Sequence, residues 1–177
     1  MRLFIAIKFS PQIEEKLTNL QNNLKEKGIT GNYTNCKNFH LTLAFIGEYD
    51  DPDKVLRALG QIDFEPFRLF FEEEMGNFGD IVWVGTKENS DLMSLNQCIR
   101  KALNDYRIHY DRKKFKPHIT IIRKVRLHSK LKNHLRNYKL ENAEMIVDKF
   151  SLMQSQRIDG QLVYTELGYV NSNKKTV

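Results

Sequence analysis

The chain has 177 residues and a formal net charge of +6, and 41% of its residues are hydrophobic, enough to bury a core. The two cysteines, Cys36 and Cys98, do not form a CxxC pair, which argues against a disulfide framework or a structural zinc site. The opening apolar run at residues 3–7 is too short for a signal peptide or a bilayer span. These features predict a folded cytoplasmic protein without a membrane partner.

Capping residues and apolar side chains at helical spacing predict four amphipathic helices, whose N-caps are Ser10, Asp51, Ser90 and Ser129. Strand patterns fill the intervals, at residues 3–9, 39–46, 67–73, 81–86, 118–125, 145–154 and 162–169. The polar residues 171–177 are expected to fray as a tail. We therefore predict a single domain over residues 1–170.

The pattern His-x-Thr occurs twice inside apolar strands, from His40 to Thr42 and from His118 to Thr120. Because side chains of a strand alternate between its two faces, the histidine and threonine of each copy share one face. In the first copy the opposite face is expected to hold the apolar side chains Leu41, Leu43 and Phe45. Each polar pair therefore faces something other than the core.

The two histidines are 78 positions apart, and the same offset relates other parts of the chain. It carries Pro11 and Pro52 to positions 89 and 130, where the third and fourth helices are predicted. It carries Phe67 and Ile81 to positions 145 and 159, at or just before predicted strands. Two such halves place their motifs on either side of an axis, which predicts one cleft lined by both His-Thr pairs.

Basic residues are concentrated around the second motif. Twelve lysines and arginines lie between positions 107 and 139, where the only acidic residue is Asp111. A positive field there would attract a phosphate-bearing ligand. The alternative interpretation is a solvated helix face and loop.

Aromatic residues near the motifs are candidates for contact with a nucleobase. Trp83 can stack on a base from the middle of its strand, although wall or core packing is the more common role. Tyr33 and Phe115 precede their motifs and can flank a base or pack. The remaining histidines, His109, His128 and His134, lack a threonine two positions later and are interpreted as surface residues. No cluster with metal-ligand spacing occurs, so no metal or other cofactor is predicted.

The sequence around the motifs resembles the 2H phosphoesterase superfamily, and within it the LigT-like RNA 2',3'-cyclic phosphodiesterases, also known as the 2'-5' RNA ligase family. The matching segments are residues 2–7, 38–48 and 115–123, and the stretch 152–155 followed by Gly160 and Tyr164. The resemblance covers nearly the whole chain. It implies an α+β, bilobal, pseudo-symmetric fold in which two antiparallel sheets line a central cleft and the helices lie outside.

The resemblance also implies roles for individual residues. His40 and His118 correspond to the catalytic pair, with His40 as acid and His118 as base. Thr42, Thr120 and Arg123 correspond to residues that bind the substrate phosphate. The implied reaction is metal-independent hydrolysis of a 2',3'-cyclic phosphodiester on RNA or a nucleotide to a 2'-phosphomonoester, by a monomer, with reverse 2'-5' RNA ligase activity as an associated capacity.

Two histidines suit this reaction because one group must take a proton from water while another gives a proton to the departing ribose oxygen. An unperturbed pKa of about 6.5 leaves both protonation states of histidine accessible near neutral pH. Two alternatives stay open at this stage. In the first, the protein cleaves linear 2'-5' linkages. In the second, it is a module that binds RNA in the cleft without turnover.

Overall fold

The computed structural model describes residues 1–125, 135, 139–140 and 142–173. The helices in this part of the chain are α1 (Pro11–Glu26), α2 (Pro52–Leu59) and α3 (Ser90–Asp105), together with a 3₁₀ helix at Cys36–Asn38. The strands are β1 (Arg2–Lys8), β2 (Asn32–Tyr33), β3 (His40–Glu48), β4 (Phe67–Phe78), β5 (Ile81–Thr86), β6 (His118–Arg123), β7 (Glu144–Val147), β8 (Lys149–Ile158) and β9 (Gln161–Asn171).

The strands form two antiparallel sheets, which confirms the predicted α+β class. One sheet has the order β3-β1-β8-β9 and the other has the order β2-β6-β5-β4-β7. The sheets meet where β3 contacts β6, so the two strands that carry the His-x-Thr motifs are neighbours in space. No helix in the described residues combines the length and the apolar character that crossing a bilayer requires.

A large apolar core lies on the helix side of the sheets, where alternate residues of each strand are buried. In β1 these residues are Leu3, Ile5 and Ile7, all fully buried, and they pack in one cluster with the apolar face of α1. The opposite face of β1 carries a smaller cluster of Phe4, Ala6 and Met153. The first sheet is therefore buried on both faces near its centre.

The two halves of the chain exchange strands. The unit β1-α1-β3 lies in the first sheet and the equivalent unit β5-α3-β6 lies in the second. In each half a later strand crosses to the other sheet, because β4 pairs with β5 and β8 pairs with β1, whereas β7 stays in the second sheet beside β4. The 78-residue offset thus holds for the first helix and the motif strand of each half, whereas the spatial counterpart of β4 is β8 and not the strand at position 145.

Most predicted elements occur, and several differ from the prediction in their bounds; β4, for example, continues to Phe78 beyond the predicted end at residue 73. The N-cap of α3 is Asn89, whose side chain accepts a hydrogen bond from the Leu92 N–H, so the predicted cap at Ser90 is wrong. The strand predicted at 145–154 is divided at Asp148 into β7 and β8. The strand predicted at 118–125 ends at Arg123, because Lys124 has a positive φ of 57°.

Two further predictions concern the C-terminal part of the chain. The fourth helix, predicted from Ser129, lies outside the described residues. The predicted tail begins at 171, but Asn171 belongs to β9, and Ser172 and Asn173 donate backbone hydrogen bonds to Asp148 and Phe64. These residues are held by the fold because their backbone groups have partners.

Candidate active site

A β-bulge follows the threonine of each motif. In β3 the pairs Thr42–Ala6 and Ala44–Ile5 leave Leu43 as an extra residue opposite β1. In β6 the pairs with β5 skip Ile121 in the same way. Because a bulge inserts one residue, the side chains after it point to the face opposite to the one that simple alternation predicts.

The bulges correct one prediction and explain another placement. Phe45, expected on the core face with Leu41, instead packs beside the cleft with Phe4 and Tyr164. Arg123 holds the equivalent position in the second half, 78 residues later, and it also faces the cleft. Without the bulge at Ile121, its guanidinium would point toward the core. The two halves thus present an aromatic ring and a cation at matching positions.

Both histidines line a cleft of about 440 Å³ between the sheets. The Nδ1 atom of His40 lies 2.7 Å from the Asn38 carbonyl oxygen, and that of His118 lies 2.8 Å from the Lys116 carbonyl oxygen. A carbonyl can only accept, so Nδ1 carries the proton in both rings. The Nε2 atom of each ring is therefore the nitrogen that gains or loses a proton.

Aromatic rings surround His40 and affect its protonation. The rings of Phe4 and Tyr164 lie 5.0 and 5.1 Å from the imidazole. Burial lowers the pKa of His40, and the positive charges of Arg123 and His118 lower it further, against the opposing effect of the Asn38 carbonyl. The free protein thus favours neutral His40, and an anionic phosphate in the cleft would oppose that shift.

We expect removal of the Arg123 charge to raise the pKa of His40 toward 6.5, the usual value for histidine. NMR titration of the His40 ring protons in the free protein measures this directly, with Arg123→Ala compared against wild type. Arg57→Ala is the matched control, because Arg57 is an exposed arginine on α2 that pairs with Asp51. An unchanged His40 midpoint in Arg123→Ala would contradict the prediction.

His118 is held by a different set of groups. The Phe78 ring lies edge-on at 5.1 Å, and the Trp83 indole stacks on Phe78 with centroids 4.9 Å apart. The Lys116 ammonium lies over both rings, at 4.9 and 4.6 Å. Gly76 makes room for this arrangement, because a Cβ there would overlap the Trp83 ring. Trp83 therefore packs behind His118 and is not among the residues that line the cleft.

The other predicted site residues are divided between the cleft and the core. Thr42, Thr120, Arg123 and Tyr33 line the cleft together with the histidines. Phe115 does not, because its ring packs against the main apolar core. The structure thus places Phe115 in the packing role that the sequence left open for it, and its contact with a base stays a prediction.

The cleft-lining polar groups contact one another. The Thr42 Oγ1 atom lies 3.1 Å from His40 Nε2, and an Arg123 guanidinium nitrogen donates to Thr120 Oγ1 at 3.3 Å. The Tyr33 hydroxyl donates to the Ile29 carbonyl at 2.7 Å, and the Lys25 ammonium lies 4.9 Å from its ring centroid. From the predicted residues, the cleft thus brings together two imidazoles, two threonine hydroxyls, the Arg123 guanidinium and the Tyr33 ring.

Two buried amides connect the motif strands to the helices of the other half. Gln21 of α1 donates to the carbonyl of Ile121, and Asn96 of α3 donates to the carbonyl of Leu43, at 2.9 and 2.7 Å. Both amides are at least 96% buried, and both carbonyls belong to the bulged residues. The Leu43 carbonyl takes the Asn96 amide as its partner, whereas the Ile121 carbonyl accepts both the Gln21 amide and the Thr34 N–H, the latter at 3.0 Å.

Sequence reasoning missed several residues at the cleft. Arg157, Gln161 and Leu162 reach it from the β8–β9 hairpin, together with Tyr164. They are far from the motifs in sequence, and β8 joins β1 only through tertiary pairing. The available signal was the alternation of Leu162 and Tyr164, which share one strand face. Among the described residues, no group of three or more His, Cys, Asp or Glu is placed to hold a metal ion.

The fold is that of the LigT phosphoesterases. The apo crystal structure of E. coli LigT superimposes with a TM-score of 0.85 at 24% identity, and the match covers 98% of each chain. The predicted bilobal LigT-like architecture is thereby confirmed.

Sequence comparison defines the family. The family model described as the 2'-5' RNA ligase superfamily matches residues 9–159, and the chain belongs to this superfamily. An RNA 2',3'-cyclic phosphodiesterase from Archaeoglobus fulgidus is 32% identical, over 94% of this chain and 98% of the relative. A protein of the same name from Thermotoga maritima is 26% identical, over 88% of this chain and 87% of the relative.

Proposed function

We propose that the protein hydrolyses the 2',3'-cyclic phosphodiester at the end of an RNA or a nucleotide and leaves a 2'-phosphomonoester. The observation that carries this proposal is the pair of imidazoles on one cleft, each with Nδ1 bound to a backbone carbonyl two residues earlier. With Nδ1 engaged in both rings, Nε2 is the nitrogen of each ring that can exchange a proton with a substrate between them, and that of His40 exchanges its contact with Thr42 Oγ1 for the substrate. The name shared by the curated relatives supports the same reaction.

In the proposed reaction, His118 Nε2 accepts a proton from water while the water oxygen attacks phosphorus. The bond between phosphorus and the ribose O3' breaks, and His40 Nε2 donates its proton to that oxygen. Each proton transfer is worth about 10²- to 10⁴-fold in rate. Solvent then restores the two starting protonation states.

The phosphate is proposed to lie against Thr42, Thr120 and Arg123. Both hydroxyls can donate to the non-bridging oxygens, and the guanidinium stabilises the charge that develops on them during the reaction. Of the basic residues predicted near the second motif, Lys116 is placed close to His118 through the shared Phe78 ring. Tyr33 is the proposed contact for the terminal base.

Both motifs come from one chain, so we propose that a monomer is the active form and needs no partner subunit. We also propose that it acts in the cytoplasm on RNA or nucleotide ends. The two cysteines, Cys36 and Cys98, are free and exposed, which suits a reducing compartment. No metal or other cofactor has a role in the proposed steps.

We expect turnover of adenosine 2',3'-cyclic phosphate to the 2'-phosphate, unchanged by EDTA, because protein groups carry out both proton transfers. Phosphorus NMR of the product distinguishes the 2'- from the 3'-phosphate. Activity lost in EDTA and restored by a divalent metal would contradict the two-histidine mechanism. Cleavage of 2'-5' linked dinucleotides alone would support the linear-linkage alternative, and binding without hydrolysis would support an RNA-binding module.

A further inference from the structure

The cleft continues beyond the two histidines along β8 and β9. A second hollow shares His40, Thr42, Arg123 and Tyr164 with the cleft and adds Arg2, Phe45 and Ser155. A third hollow continues from Arg2 and Ser155 over Gln156 toward Met1 and Glu48. We name the part lined by Arg2, Ser155 and Arg157 the outer groove. The catalytic cleft is therefore one end of a longer channel across the protein surface.

The outer groove is positively charged. Arg2 and Arg157 both line it, and no ion pair among the described residues engages either guanidinium. Arg157 is oriented by a 3.1 Å hydrogen bond to the Gly160 carbonyl, and Arg2 lies 5.2 Å from the centre of the Phe45 ring. Both cations are thus positioned by neutral groups, which leaves their charge for an anion.

Pseudo-symmetry gives Arg2 a specific place in the cleft. Phe45 holds the position in the first half that Arg123 holds in the second, and Arg2 lies over Phe45. Arg2, Arg123 and Tyr164 line the same hollow, and the two positive charges oppose the rise in pKa that burial gives the Tyr164 hydroxyl. The channel therefore carries two cations close to Tyr164.

The spacing along β1 separates Arg2 from the first His-x-Thr motif. Arg2 lies four residues from Ala6, the residue paired with Thr42. At the rise of a strand, this places the two backbone positions roughly 13 Å apart. The Arg2 side chain spans part of this distance, and Arg2 and Thr42 line the same hollow, so the guanidinium is placed to meet the phosphate next to the one at Thr42. Glu48 lies at the far end of the channel, where its carboxylate limits the positive region.

We propose that the outer groove binds the phosphodiester on the 5' side of the terminal nucleoside, so that the preferred substrate is an RNA oligonucleotide and not a mononucleotide. Arg2 and Arg157 hold the non-bridging oxygens of this second phosphate, and Ser155 offers a hydroxyl beside them. This inference rests on the proposed function, because it assumes that the cyclic end lies between His40 and His118.

Four substrates test the proposal: adenosine 2',3'-cyclic phosphate, its 5'-phosphorylated form, the dinucleotide ApA with a 2',3'-cyclic end, and the same dinucleotide with an uncharged methylphosphonate linkage. We expect kcat/KM for the charged dinucleotide to exceed that for the plain mononucleotide by about tenfold, the worth of a charge-assisted contact. For the methylphosphonate dinucleotide, kcat/KM should fall to about the value for the mononucleotide. The preference should also decline as salt rises.

Variants assign the preference to the outer groove. In Arg2→Ala and Arg157→Ala, the ratio of kcat/KM between charged dinucleotide and mononucleotide should fall toward one, and Arg2→Lys should recover part of it. Arg57→Ala removes an arginine on α2 that does not line the channel, and it should keep the wild-type ratio. Thermal melts establish that each variant is folded.

Several outcomes would overturn the proposal. They are equal rates on all four substrates, an undiminished preference for the methylphosphonate, and a wild-type ratio in both arginine variants. A 5'-phosphorylated mononucleotide as good as the dinucleotide would overturn the assignment to RNA. Hydrolysis without any dinucleotide preference refutes the outer groove alone, whereas no hydrolysis of any cyclic substrate refutes the proposed function. If no cyclic substrate is hydrolysed, calorimetry can still test the outer groove, by comparing the Kd values of the dinucleotide and mononucleotide 2'-phosphates.

Discussion

His40→Ala and His118→Ala should each lower kcat for a 2',3'-cyclic nucleotide by about 10²- to 10⁴-fold, the usual worth of a positioned acid or base. Both imidazoles are only partly buried at the cleft, and each is held mainly through its own Nδ1, so their truncation should leave the fold intact. Steady-state kinetics and circular dichroism measure the two effects. Near wild-type turnover in either folded variant would refute the mechanism.

A substrate with a better leaving group separates the roles of the two histidines. A nucleoside 4-nitrophenyl phosphodiester expels a phenolate that needs no proton from the enzyme. If His40 is the acid, His40→Ala should lose much less activity on this ester than on the cyclic substrate, whereas His118→Ala should be impaired on both. The reverse pattern would exchange the two assignments. A pH profile alone does not separate them, because both assignments depend on the same two titrations.

Asn96→Leu and Gln21→Leu should lower both stability and kcat. Each change removes an amide that donates to a bulged carbonyl. The cost is about 1–3 kcal/mol for Leu43, whose carbonyl loses its partner, and smaller for Ile121, whose carbonyl keeps the Thr34 N–H. The bulges also set the direction of Phe45 and Arg123 and adjoin the threonine of each motif, and a small misplacement of a reacting group reduces kcat by about tenfold or more. Chemical denaturation and kinetics on the cyclic nucleotide give the two readouts.

Ile99→Val is the matched control for Asn96→Leu. Ile99 is fully buried on α3, and removing one methyl group costs about 1 kcal/mol without touching the Leu43 carbonyl. We expect this variant to lose stability and keep kcat. Equal losses of kcat in Ile99→Val and Asn96→Leu would mean that general destabilisation, and not the position of the motif, explains the effect.

Local patterns predicted the parts of the molecule that local rules govern. His40 and Thr42 were identified because polar side chains interrupt an apolar strand, and their strand carries them to the cleft as expected. The bulge at Leu43 escaped prediction because period-two alternation has no place for an inserted residue. Its trace in the sequence is the pair of consecutive apolar residues after each threonine, Leu43-Ala44 and Ile121-Ile122.

Tertiary contacts determine what local patterns did not predict. Gln21 and Asn96 are polar residues within helices, and their burial depends on a carbonyl that another part of the chain supplies. Tyr164 contacts His40 across 124 positions of sequence, through a hairpin that reaches the first sheet by pairing with β1. The 78-residue offset compares sequence positions only, so it could not predict that β4 and β8 each pair in the sheet of the other half.

The strand exchange also governs the order in which the protein can mature during its synthesis. His40 emerges from the ribosome early, but β1 keeps an open edge until β8, residues Lys149–Ile158, has been made. An unpaired apolar strand of this kind is prone to join other chains. Fragments that stop before β8 should therefore be insoluble as well as inactive, and the nascent chain cannot act on RNA at the ribosome before both halves are present.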